Sequence, residues 1–103
     1  MVQMTVLYNK PADSKHFQEY YFATHAPIAK QMPGLLAYTV SDGAVTGPDG
    51  SAAPYELVAQ LEFESADELA KALASPEGQA AVADLPKFAT GGVSIVVFKT
   101  REI

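Results

Sequence analysis

The chain has 103 residues, which fits a single domain spanning 1–103, and its 49% apolar and 18% charged residues are typical of a globular protein. With no cysteine it has no disulfides, thiolate metal sites or cysteine nucleophiles, and its net charge of −5 argues against nucleic acid as a partner. No apolar run reaches the roughly 20 residues of a membrane span, and the N-terminus lacks a signal-peptide pattern, so we expect a cytoplasmic protein without membrane contact.

The first half of the chain begins with a strand and a long helix. Alternating apolar residues predict the strand over Val2 to Asn9. The helix is expected from about Ser14 to Met32, with a kink at Pro27 and an end at Pro33-Gly34. One apolar stripe along it consists of Phe17, Tyr21, Thr24 and Ile28.

Three further strands and a broken helix follow. The strands are predicted over Leu35–Asp42, Tyr55–Glu64 and Val93–Thr100. A loop rich in Gly, Pro, Ser and Asp, residues 43–54, separates the first two of these strands. A capping box, Ser65-Ala-Asp-Glu68, starts the helix, and Ser75-Pro76 interrupts and restarts it.

This order, β-α-β-β-α-β, predicts an α+β fold of ferredoxin-like type. Right-handed crossovers give an antiparallel four-stranded sheet with both helices on one face. The opposite face is then uncovered, and its apolar members are Leu7, Val58, Val96 and Phe98. Such a patch is too apolar to leave in water, so we expect a homodimer in which two sheets close into a barrel.

Candidate catalytic residues centre on the first helix. His25 lies one helical turn after Tyr21, on the flank of the buried stripe, where an imidazole can exchange a proton near neutral pH. Asp84, a lone acid in the short helix after Pro76, is a candidate partner for His25 across the fold. The alternative is that His25 only hydrogen-bonds backbone near Pro27.

The residues also carry a family resemblance. Tyr-Tyr-x-x-x-His-Ala-Pro-Ile at 20–28, followed by Pro33-Gly34-Leu35, resembles the signature of the EthD family. The stretch from Leu73 to Asp84, followed by Phe88, is similar to the second half of that family. The resemblance covers almost the whole chain and implies a dimeric α/β-barrel fold. The family is named for a protein encoded with a system that degrades ethyl tert-butyl ether.

Two functions follow as expectations. The first is an enzyme of small-molecule metabolism or degradation that acts on a hydrophobic or aromatic carbonyl compound, without metal, nucleotide or other cofactor. It would be an oxidoreductase or monooxygenase, an isomerase, a cyclase or a dehydratase, with His25 as general acid/base and Tyr21 and Asp84 orienting it or the substrate. The aromatic residues expected to contact the ligand are Phe17, Tyr20, Tyr38 and Phe88. The second function is a non-catalytic protein that binds a hydrophobic metabolite or assists an oxygenase.

Overall fold

A computed structural model, which describes residues 1–103, arranges four strands in one antiparallel sheet. The strands are β1 (Val2–Asn9), β2 (Ala37–Val40), β3 (Tyr55–Phe63) and β4 (Val93–Lys99). Their spatial order is β2-β3-β1-β4, so the first and third strands of the sequence lie in the middle. This confirms the predicted α+β ferredoxin-like fold.

A helical layer covers one face of the sheet. It consists of α1 (Ser14–Tyr20), a π-helical turn (Tyr21–His25), α2 (Ala26–Ala29), α3 (Ala66–Ala74), α4 (Pro76–Asp84) and a short 3₁₀ turn (Leu85–Lys87). The side chains of Asp13, Ser65 and Ser75 cap α1, α3 and α4 by accepting backbone N–H groups. None of the helices is both long and apolar enough to cross a bilayer.

The first helix departs from its prediction. Instead of continuing regularly to Met32, it changes to a π-helical turn at Tyr21 and ends at Ala29. Within this turn the Ala26 N–H donates to the carbonyl of Tyr21, five residues earlier. Pro27 follows at once and has no N–H to continue the regular pattern, which is a physical reason for the irregularity here.

The core lies between the helices and the inner face of the sheet. On β1 and β3 the inward residues pair across the strands as Val2 with Phe63, Met4 with Leu61, Val6 with Ala59 and Tyr8 with Leu57. All eight are buried. β2 is shorter than the predicted Leu35–Asp42, because only four of its residues pair with β3.

The outer face of the sheet is the one away from the helical layer, and it is most exposed along β4. Leu7 lies opposite Val58 there, and on β4 the side chains of Val96 and Phe98 are 47% and 46% exposed. On the inner side of β4, Ile95 is also 46% exposed. β4 is therefore apolar and accessible on both of its faces.

Candidate functional site

The π-helical turn and the end of α4 bring a histidine and an acid together. His25 Nδ1 lies 3.0 Å from Asp84 Oδ2, and each residue is only 4% exposed. They are 59 positions apart in sequence, so the tertiary fold alone makes this contact. His25 therefore bonds a carboxylate rather than backbone near Pro27.

The second oxygen of Asp84 is also occupied. The Tyr20 hydroxyl donates to Asp84 Oδ1 over 2.7 Å, and the Lys87 ammonium lies 3.9 Å from the same oxygen. The hydrogen bond to Asp84 raises the pKa of Tyr20. A carboxylate held by donors on both oxygens keeps its position, which in turn fixes the ring of His25.

Burial decides the charge state of His25. Desolvation lowers its pKa below the ordinary value, and the hydrogen bond and charge of Asp84 only partly oppose this effect. The ring is then neutral at pH 7, and we assign its one N–H to Nδ1, facing Asp84. Nε2 keeps its lone pair, since the one side-chain hydrogen bond of His25 is made by Nδ1.

A cavity lies beside this histidine, between the helical layer and the sheet. Its volume is about 50 Å³, and fourteen of its sixteen lining residues are hydrophobic. His25 lines it together with Tyr8, Tyr21 and Tyr38. A mostly apolar cavity with a few converging polar groups is the usual form of a small-molecule site.

The three tyrosines supply the other polar groups of the cavity. The hydroxyls of Tyr21 and Tyr38 are hydrogen-bonded to each other. Desolvation raises the pKa of Tyr8, Tyr21 and Tyr38, so all three phenols stay protonated at neutral pH. The Tyr21 and His25 rings lie 5.3 Å apart between centroids.

The other predicted ligand contacts do not line this cavity. Phe17 is fully buried in the core, and Phe88 packs against the His25 ring with centroids 4.6 Å apart. Tyr20 stacks on Phe88 and bonds Asp84, behind the histidine. These three residues therefore lie outside the cavity lining. Phe17 and Phe88 are buried in the core, and the hydroxyl of Tyr20 is bonded to Asp84.

Sequence analysis missed Tyr8 as a site residue. The alternation of β1 indicated that the Tyr8 side chain points inward, but it did not indicate that a cavity lies next to this side chain. No group of three or more His, Asp or Glu side chains is placed to hold a metal ion.

The comparison with known families settles where the chain belongs. The model of the EthD domain matches residues 9–92. The chain belongs to the EthD family. It is 41% identical, over 93% of its length and 91% of the relative's, to an uncharacterised 11.0 kDa protein encoded between thcB and thcC in Rhodococcus erythropolis. The EthD signature found in the sequence is thereby confirmed.

Solved structures share this fold, and one of them is an EthD family protein. An EthD family protein from Bacillus halodurans has a TM-score of 0.88 and 30% identity, with 98% of this chain and 99% of that one covered. SnoaB, a cofactor-independent oxygenase from Streptomyces nogalater, shares the fold at a TM-score of 0.68 and 20% identity, covering 99% and 94%. A dimeric ferredoxin-like protein of unknown function from Thermobifida fusca has a TM-score of 0.72 and 17% identity, covering 96% and 90%.

Proposed function

We propose that this EthD protein binds a small, uncharged hydrophobic or aromatic carbonyl compound in the cavity and moves a proton on it, with His25 as the base. The observation that supports this most directly is the lone pair on Nε2 of a buried, neutral histidine lining an apolar cavity. Asp84 on the other side of the ring holds the tautomer that such a base needs.

The tyrosine pair supplies the complementary acid. Only one proton lies between the hydroxyls of Tyr21 and Tyr38, so the other hydroxyl keeps an O–H to donate. When Nε2 of His25 removes a proton from the carbon beside a carbonyl, negative charge develops on the carbonyl oxygen. A phenol O–H aimed at that oxygen stabilises the charge in a site with little water.

The fate of the resulting carbanion then determines the class of reaction. If protonated His25 returns the proton at another position, the substrate is isomerised, and if the carbanion attacks a second carbonyl in the same molecule, it cyclises. If the carbon beside the carbanion carries a hydroxyl, that hydroxyl leaves with the proton as water, which is a dehydration. An oxygenase reaction would need O₂ as co-reactant and a carbanion that transfers an electron to it. The fold shared with SnoaB makes this version worth testing.

Exchange of carbon-bound hydrogen tests the proposal without knowledge of the natural substrate. A panel of hydrophobic and aryl ketones is incubated with protein in D₂O, and NMR follows deuterium entering the position beside the carbonyl. We expect acceleration by the wild type and a loss of about 10²-fold or more in His25→Asn. His16→Asn, which changes the exposed second histidine, is the control.

Equal exchange rates in wild type and His25→Asn would refute the proposal. Binding of ketones without any exchange would instead support the alternative of a non-catalytic metabolite-binding protein.

We also propose that the protein is a homodimer that buries the outer face of the sheet. The half-exposed Val96 and Phe98 lie on this face with Leu7 and Val58. A second copy related by a two-fold axis presents the same apolar face, so the two surfaces match in chemistry. The shared fold with a protein described as dimeric supports this arrangement.

A further inference from the structure

Tyr20 reaches the histidine by two separate routes. Its hydroxyl donates to Asp84 Oδ1 over 2.7 Å, and the other oxygen of that carboxylate lies 3.0 Å from His25 Nδ1. Its ring stacks on Phe88 with centroids 5.5 Å apart, and Phe88 packs against the His25 ring at 4.6 Å. Asp84 and Phe88 are 4% and 1% exposed, so Tyr20 backs two buried groups that both touch the imidazole.

Tyr20 itself does not line the cavity, although its neighbour Tyr21 and His25 both do. Consecutive side chains of a helix point about 100° apart, so Tyr20 and Tyr21 face different sides of this segment. An effect of Tyr20 on a bound ligand must therefore pass through the groups that Tyr20 holds.

The Tyr20 hydroxyl and the Nδ1–H of His25 share one carboxylate. Asp84 favours the protonated form of His25 through its charge and its hydrogen bond, against the effect of burial. Each donor takes up part of the negative charge of that carboxylate, so the bond to Oδ1 weakens the attraction between Oδ2 and a protonated imidazole. Tyr20 thereby limits how strongly Asp84 favours protonation of His25.

The titratable side chains around this pair come from several elements. Those nearest His25 are Asp84 on α4, Tyr20 on α1, Tyr21 in the π-helical turn, Lys87 in the 3₁₀ turn and, in the cavity wall, Tyr8 and Tyr38. His16 lies beyond them, with its ring 5.8 Å from that of Tyr20. The raised pKa of each of these tyrosines keeps it protonated at neutral pH, so the charges beside His25 belong to Asp84 and Lys87.

We propose that Tyr20 is a positioning residue of this site, which holds Asp84 through its hydroxyl and Phe88 through its ring and so fixes the imidazole of His25. It acts from outside the cavity and does not contact the substrate. Its catalytic consequence rests on the function proposed above, because the orientation of Nε2 affects the reaction only if His25 is the base. Its hold on the imidazole does not rest on that function.

An NMR titration of His25 tests the hydroxyl route without any substrate. Tyr20→Phe keeps the ring and removes the donor to Oδ1, so the midpoint of the His25 titration should move to higher pH. Lys87→Met removes the exposed ammonium 3.9 Å from the same oxygen, and it should move the midpoint in the same direction at low salt. Tyr55→Phe, on β3, removes a tyrosine hydroxyl elsewhere and is the control.

A double-mutant cycle separates this electrostatic effect from a loss of packing. In an Asp84→Asn background the charge that Tyr20 restrains is gone, so adding Tyr20→Phe should no longer move the midpoint. A Tyr20→Phe midpoint at or below that of the wild type would overturn the proposal. A shift of equal size in both backgrounds would overturn it too, since the change would then not pass through Asp84.

The ring route is tested by the hydrogen exchange of ketones in D₂O. At a pH where His25 is neutral in every variant, Tyr20→Phe should keep the wild-type maximal rate. Tyr20→Leu, which also removes the stack on Phe88, should lose about tenfold or more in kcat with KM within about twofold. A wild-type kcat in a folded Tyr20→Leu variant would refute the ring route.

The two proposals fail separately. An absence of exchange in the wild type would refute the catalytic function, and the titration would still decide whether Tyr20 acts on His25. Exchange that depends on His25, together with Tyr20 variants that match the wild type in both assays, would refute the role of Tyr20 and leave the catalysis.

Discussion

Asp84→Asn tests the arrangement on which the candidate site depends. The carboxylate is 4% exposed and accepts from His25 Nδ1 and the Tyr20 hydroxyl, with Lys87 nearby. Asparagine has the same size as aspartate, but its amide nitrogen is a hydrogen-bond donor. That nitrogen would face either His25 Nδ1–H or the Tyr20 hydroxyl, and both of these are donors as well. The loss of a buried hydrogen bond to a charged acceptor costs about 1.5–3 kcal/mol. For a domain of this size that corresponds to a melting temperature lower by about 7–14 °C.

Circular dichroism measures the melting temperature at one protein concentration, since any dimer makes it concentration-dependent. Asp42→Asn, in an exposed position, is the control. An NMR titration of the two histidine rings adds a second readout. Because Asp84 opposes the effect of burial, its removal should lower the pKa of His25 further. A melting temperature within about 2 °C of wild type, together with an unchanged His25 titration, would refute this account of the dyad.

Three further predictions concern pH, the tyrosine pair and the dimer. Burial lowers the pKa of His25 in the folded state, so the free energy of unfolding should fall as pH drops below about 6.5 toward that lower value, and this slope should weaken in His25→Asn. Tyr38→Phe removes the hydroxyl bond to Tyr21 and should cost about 1 kcal/mol in urea denaturation, so an unchanged midpoint would count against a bond that stabilises the fold. Phe98→Glu should convert a dimer to an 11.0 kDa species in sedimentation experiments, while Val97→Glu, 50% exposed on the opposite face of β4, should stay dimeric. A wild type that sediments as a compact monomer at micromolar concentration would refute the dimer itself.

The amino-acid sequence determined the order of the elements and the inward faces of β1 and β3. The period of two in β3 placed Leu57, Ala59 and Leu61 on the inner side, and the structure has them there. The cap at Ser65 and the restart at Ser75-Pro76 also appear, because local hydrogen bonds and the missing N–H of proline act within a few residues. Element order then left few topologies, so the ferredoxin-like fold followed from local signals and connection rules.

Only the tertiary structure decided the candidate site. His25 and Asp84 were both suspected from the sequence, but their 3.0 Å contact joins elements 59 residues apart, which no local pattern measures. The π-helical turn that directs His25 inward depends on hydrogen bonds that hydrophobic periodicity does not register. The cavity exists because no side chain fills the space beside the small Ala59. Such a gap depends on how distant segments of the chain pack together, which no local pattern shows.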